Sequence, residues 1–116
     1  YATAYMRLKD FTKSEYYHKL SYQNAKAFGE TRLMADNLVQ IAMIYLTANK
    51  DYVQAERTLK EALELATQTE YNQVILDIYK SLSLVEQSLN NGEMESFYQS
   101  KYIALRDSLF SESLVN

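Results

Sequence analysis

The 116-residue chain has no cysteine and no proline, only two glycines, Gly29 and Gly92, and a single histidine, His18. Each scarcity removes a class of answer. Without cysteine there is no disulfide framework and no thiolate chemistry, and the redox compartment is not legible. A zinc site needs several N, S or O ligands converging, and one histidine without cysteine makes no such cluster. Two isolated glycines cannot build a phosphate-cradling loop, and no G-x-S-x-G elbow accompanies the serines. The formal net charge is −3 with no Lys/Arg block. That argues against nucleic acid, whose binding is dominated by phosphate neutralisation. No apolar run approaches the ~18 residues a membrane span needs. A chain opening on Tyr1 rather than Met is expected to be a fragment, so a signal peptide or anchor of the parent protein would not be visible in it. Carboxylate neighbours such as Glu61 and Glu64 are most simply a solvated helix face. The expectation is a non-enzymatic protein with no cofactor and no metal.

What is present is helical periodicity. A hydrophobic content of 47% with so few backbone breakers favours long helices over short strands. The clearest stretch is Leu38–Ala66: an apolar helix, a break at Asn49-Lys50-Asp51, and a second apolar helix. Before it, the pattern predicts a helix end over Tyr1–Leu8 and a break at Lys9-Asp10. Asp10 or Thr12 would then cap a second helix reaching Phe28, with Gly29 in the left-handed conformation at its end. The third helix, from Glu30-Thr31 to Ala48, carries Met34, Leu38, Ile41, Tyr45 and Ala48 on one stripe. Val39, Met43 and Leu46 form a second stripe, so this helix is expected to be packed on two sides. Asp51 would cap a fourth helix that buries Tyr52, Ala55, Leu59, Ala62 and Ala66, with Glu56 and Lys60 paired on its exposed side. Thr69 is expected to cap a fifth helix with Ile75, Ile78, Leu82, Val85 and Leu89 inward. Asn90-Asn91-Gly92 is the strongest stop signal. The sixth helix carries Met94, Tyr98, Tyr102, Leu105 and Leu109. The fold class is all-α, about six helices in one domain over 1–116.

These helices repeat. Asp51, Tyr52, Ala55, Leu59, Ala62 and Ala66 have counterparts 41 residues earlier in Asp10, Phe11, Ser14, His18, Ser21 and Ala25. Leu38, Ile41, Ala42 and Tyr45 have counterparts 41 residues later in Tyr79, Leu82, Ser83 and Glu86. Small residues at Ala42, Ala55 and Ala62 let helix backbones approach, while Tyr45 and Tyr52 fill the gap beside them. A helix pair joined by a short turn cannot bury both apolar faces alone, so the pairs stack. The ordered set Leu38, Ile41, Ala42, Tyr45, Tyr52, Ala55, Leu59 and Ala62 resembles the tetratricopeptide repeat signature, with one extra residue in the turn. Its period of 41 residues is longer than the usual ~34. The resemblance covers almost the whole chain, as units of approximately 1–30 (truncated at its start), 31–70 and 71–110. It implies a right-handed superhelical stack of antiparallel helix pairs. In the third unit Glu86 replaces the aromatic and the last helix lacks an Ala-x6-Ala pair, so that helix is expected to act partly as a terminal cap. His18 falls where Leu59 falls in the next unit, and is expected to be packed and hydrogen-bonded rather than a ligand.

The resemblance also implies where a partner binds: on the concave face made by the first helix of each pair. The stripe pointing away from the hairpin partner holds Asp36, Val39, Gln40, Met43 and Thr47 on the central helix. On its successor it holds Asp77, Lys80, Ser81, Leu84 and Ser88, with Met6 and Arg7 at the corresponding edge of the first unit. This mixture of apolar groups, amides and single charges suits a peptide or partner helix. The alternative is that a neighbouring domain or the flanking chain covers the face. Of the eleven tyrosines, Tyr5, Tyr45, Tyr52, Tyr79, Tyr98 and Tyr102 are expected in the core, and one or two of Tyr16, Tyr17 and Tyr22 outside. A narrower similarity covers Tyr102–Phe110, which looks like the close of tetratricopeptide regions in bacterial membrane-anchored regulators. In those, a coiled coil and a transmembrane helix follow, then a histidine-kinase or LuxR-type DNA-binding module. The expected function is therefore a protein- or peptide-interaction module, the sensory or assembly domain of a bacterial signal-transduction or transcription regulator. It would sit on the periplasmic side of the membrane, with the cytoplasm as the open alternative. A passive spacer or dimerisation element, and a small-molecule-sensing domain with a pocket between repeats, remain alternatives. No nucleic-acid contact is expected through this domain and no membrane contact within this segment. The partner's identity and the oligomeric state are not legible.

Overall fold

Turn chemistry sets the helix boundaries. The computed structural model describes the backbone of residues 2–115 and the side chains of residues 11–113. Among these residues it has five α-helices: α1 Ala2–Ala27, α2 Thr31–Ile44 continued by a π turn over Tyr45–Asn49, α3 Tyr52–Gln68, α4 Asn72–Ser88 and α5 Gly92–Val115. Three turns close alike. The carbonyls of Ala25, Ala66 and Glu86 accept from the N–H groups of Glu30 (2.8 Å), Tyr71 (2.9 Å) and Asn91 (2.9 Å), five residues on. The residue before each donor is left-handed: Gly29 (φ 69°), Glu70 (φ 53°) and Asn90 (φ 59°). This closure satisfies carbonyls that a helix end leaves unpaired. In the remaining turn the N–H of Asp51 reaches back six residues to the carbonyl of Tyr45 at 2.8 Å, and Lys50 is left-handed at φ 50°. The extra residue of the Asn49-Lys50-Asp51 turn is taken up by the π turn. Asp51 and Asn91 then cap α3 and α5, accepting from the N–H of Gln54 (3.2 Å) and Met94 (3.3 Å).

Two expectations are corrected. The break at Lys9-Asp10 does not occur, because α1 runs continuously through it. Neither Gly nor Pro stands there, and Lys and Asp in a helix interior cost only tenths of a kcal/mol, roughly. The described helices therefore number five rather than six. Thr69 does not cap the next helix. Its hydroxyl donates backwards to the carbonyls of Leu65 and Ala66, both at 3.3 Å, closing α3, and α4 begins after Tyr71 without a side-chain cap.

Sequential helices pack on one another, and the molecule is 22 Å across its thinnest dimension, about two helix diameters. Ala35 and Ala42 of α2, Ala55, Leu59, Ala62 and Ala66 of α3, and Ile78, Leu82 and Val85 of α4 are all fully buried in one core. Tyr16 and Tyr17 face outward while Tyr22 packs on the core.

The α1–α2 contact is built differently from the α3–α4 contact. His18 Nδ1 lies 3.1 Å from Asn37 Oδ1, and Asn37 Nδ2 donates to Ser21 Oγ at 3.0 Å. Counting 41 residues onward, His18, Ser21 and Asn37 become Leu59, Ala62 and Ile78, each 0% exposed. One unit thus fills with a hydrogen-bonded triad the positions that the next fills with hydrocarbon. Asn37→Ala would strand its partners, and is expected to cost about 1–3 kcal/mol in a denaturant melt. An unchanged midpoint would deny the triad any structural weight.

Glu86, the counterpart of Tyr45, is 1% exposed, and its Oε1 has no hydrogen-bond partner among the described residues. Burial, reinforced by the Glu56 carboxyl facing it from α3, pushes its carboxyl up to about 7, against the opposing pull of Lys60 and Asn91. On the α5 side, Tyr98 is raised by burial and by these carboxylates, and its ring stacks on Tyr79 at 6.3 Å between centroids.

Candidate partner-binding groove

The stripe that α2 turns away from the core meets its equivalent on α4. Because the two helices start 41 residues apart with the same turn before each, Thr31 and Asn72 open them in matched register. Between them lies a groove of about 330 Å³, lined by Val39, Gln40 and Met43 of α2 and Asp77, Lys80, Ser81 and Leu84 of α4. Met43 and Leu84 are exposed, at 36% and 54%, although both are large hydrophobes. The Ser81 hydroxyl approaches the Met43 sulfur at 3.9 Å. The lining thus combines three apolar side chains with an amide, a hydroxyl and one charge of each sign. Such a surface can bury a side chain and hydrogen-bond the backbone that carries it.

The remaining candidates lie elsewhere. Asp36 is half-buried at the α2–α4 junction, accepting from the Tyr71 hydroxyl at 3.4 Å; burial raises its carboxyl and that hydrogen bond lowers it. Tyr71 is itself covered by the Arg32 guanidinium, 4.9 Å from its ring centroid, which donates to the Thr69 carbonyl at 3.1 Å. Thr47 falls in the π turn and donates to the Met43 carbonyl at 2.8 Å. Ser88 is the last residue of α4 and is exposed beyond the groove. The side chains of Met6 and Arg7 lie outside the described residues.

Sequence reasoning missed a second groove, of about 320 Å³, lined by Lys80 and Ser83 of α4 and Gln99, Tyr102, Ile103 and Arg106 of α5. Ile103, off the inward face of α5 and 47% exposed, was the available signal. Among the described residues no group of three or more His, Cys, Asp or Glu could hold a metal, and no helix is long and apolar enough to cross a membrane.

Comparison with protein families gives a match to the tetratricopeptide repeat over residues 1–68. Neither the curated proteins nor the solved structures contain a match. The matched residues span α1 to α3 and stop before the unit in which Glu86 replaces the aromatic. Repeats of this kind generally mediate protein–protein interaction and are typically not catalytic. With a stack of antiparallel helices, the Leu38–Ala62 signature and a family match over more than half its length, the chain belongs to the tetratricopeptide repeat family.

Proposed function

We propose that this chain is a non-enzymatic interaction module that holds a peptide or protein segment in the groove between α2 and α4. One observation carries the reading: Met43 and Leu84, both exposed, line one groove together with Gln40, Asp77, Lys80 and Ser81. Large apolar side chains grouped in a polar rim mark interaction surfaces. The partner's apolar side chain enters between Met43 and Leu84, Gln40 and Ser81 bond its backbone, and Asp77 with Lys80 selects among charged neighbours. The three helical units, approximately 1–30, 31–70 and 71–110, act as one domain in this reading.

The test is a peptide display selection against the 116-residue chain, followed by affinity measurement on variants. Gln40→Ala with Met43→Asp is expected to weaken the selected peptides at least about tenfold, with an unchanged thermal melt because both positions are exposed. Retained affinity in a folded variant would place binding elsewhere.

Within a larger protein, the module serves as the sensory or assembly domain of a bacterial signal-transduction or transcription regulator. Two features support this: the similarity of Tyr102–Phe110 to the close of such regions, and an α5 that continues unbroken to Val115. The parent reading frame decides it. A kinase or DNA-binding module downstream is the expected finding, and a reading frame encoding neither would sink the regulator reading.

A further inference from the structure

The second groove repeats, one unit later, the surface on which α4 packs. Inside the stack, α4 packs on α3 and α2, over a core that contains Ala42, Leu59, Ala62 and Ala66 with Val39 and Leu63 at its edge. Each of these six positions has a counterpart one unit later. Val39 and Ala42 become Lys80 and Ser83, 41 residues on, the spacing of α2 and α4. Leu59, Ala62, Leu63 and Ala66 become Gln99, Tyr102, Ile103 and Arg106, 40 residues on, the spacing of the caps Asp51 and Asn91. Those six counterparts are the lining of the second groove. What supports α4 at one level is left open at the next, so its shape suits a helix.

Its lining has changed from all hydrocarbon to a mixture in which both charged groups, Lys80 and Arg106, are cations. Lys80 has no ion pair among the described residues. Its acidic neighbour in the lining of the α2–α4 groove is Asp77. Arg106 sits over the Tyr102 ring at 5.6 Å and, among the described residues, pairs with the exposed Asp107 at 3.6 Å. No carboxylate lines the seat itself, in a chain whose net charge is −3. Lys101 is placed on the Phe97 ring one turn earlier, at 5.5 Å. Nor do the described residues fold back onto the seat. α3 ends at Gln68, whose counterpart is Ser108, but α5 continues as one helix to Val115.

We propose that this seat receives an acidic amphipathic helix of a partner protein, with its carboxylates on Lys80 and Arg106 and a small apolar strip on Ile103 and Tyr102. This goes beyond the α2–α4 groove: it is a second site with its own partner chemistry. The two sites meet only at Lys80, which lines both. Arg is suited to the task because its planar fork can pair with a carboxylate through two parallel hydrogen bonds, and opposed charge selects the partner.

The test uses a library of conformationally stabilised helical peptides with randomised faces, selected against the 116-residue chain. The enriched peptides are expected to carry Asp and Glu beside a strip of small apolar residues. Arg106→Glu and Ile103→Asp, both at exposed positions, should each weaken them at least about tenfold, while Met43→Asp leaves their affinity intact. A circular dichroism melt of each variant confirms folding. Three results would overturn the proposal. No enrichment, or enrichment without acidic residues, makes the groove a solvated end of the stack. Peptides that respond to Met43→Asp but not to Ile103→Asp uphold the α2–α4 reading alone. A dimer mass in light scattering that Ile103→Asp abolishes gives the seat to a second copy of this chain.

Discussion

Lowering the pH from 8 to 5 is expected to add about 2–3 kcal/mol of folding stability through Glu86 alone. The sign follows from burial. Its carboxyl titrates near 7 in the fold, against an ordinary 4.5, so over that interval the folded chain holds a proton that the unfolded chain has released. Stability from this group is full below the lower value and is lost as the pH rises through the higher one. The cause is local: a carboxylate 1% exposed, with Oε1 unpartnered and the Glu56 carboxyl facing it. A protonated Glu86 can donate a hydrogen bond to Glu56, whereas an ionised one only repels it. Other groups titrate over the same range, so the measurement is a difference. Urea unfolding of wild type and Glu86→Gln at pH 5, 6.5 and 8 should show the variant gaining on wild type as pH rises, by about 2–3 kcal/mol across the series. A difference independent of pH would mean that Glu86 is solvated in the fold.

Leu59→Ala is expected to remove about 3–5 kcal/mol. Leu59 is among the largest side chains that are fully buried, at 0% exposure. It lies in α3, which packs against both α2 and α4, so neighbours held on two sides cannot collapse freely into the cavity. The total stability of a domain this size is only about 5–15 kcal/mol, so the variant would approach the limit of folding. The corresponding change one unit earlier, His18→Ala, should cost less, because His18 is only half-buried and leaves a smaller apolar volume unfilled. Equilibrium urea melts of both variants compare the two interfaces. Equal losses would mean that the hydrogen-bonded triad and the hydrocarbon contact stabilise the stack alike.

The helical faces were legible because burial follows periodicity. Ala55, Leu59, Ala62 and Ala66 on α3, and Ile75, Ile78, Leu82 and Val85 on α4, are buried where a 3.6-residue period places them. Gly29 and Asp51 could be read because each supplies a conformation or an oxygen that a turn specifically needs, whereas Asn90-Asn91-Gly92 was legible as a stop but not Asn91 as the cap of α5. The break at Lys9-Asp10 was misread because a capping residue permits a helix start without forcing one. Of the stripe residues, Val39, Gln40, Met43, Asp77, Lys80, Ser81 and Leu84 line one groove, since both helices keep the same register. Thr47 left the stripe because it falls in the π turn, and a π turn changes the angular step per residue. Asp36 was drawn to Tyr71 by a contact 35 residues away, which no local pattern encodes.

The sequence by itself determined an all-α chain of repeated helix pairs, which faces of α2, α3 and α4 are buried, and the family. These depend on side-chain spacing along single helices. Only the tertiary structure decided the polar triad of the first interface, the raised carboxyl of Glu86 and the groove between α4 and α5. Each of these depends on which side chains from different helices come to share one small volume, and on whether water reaches it.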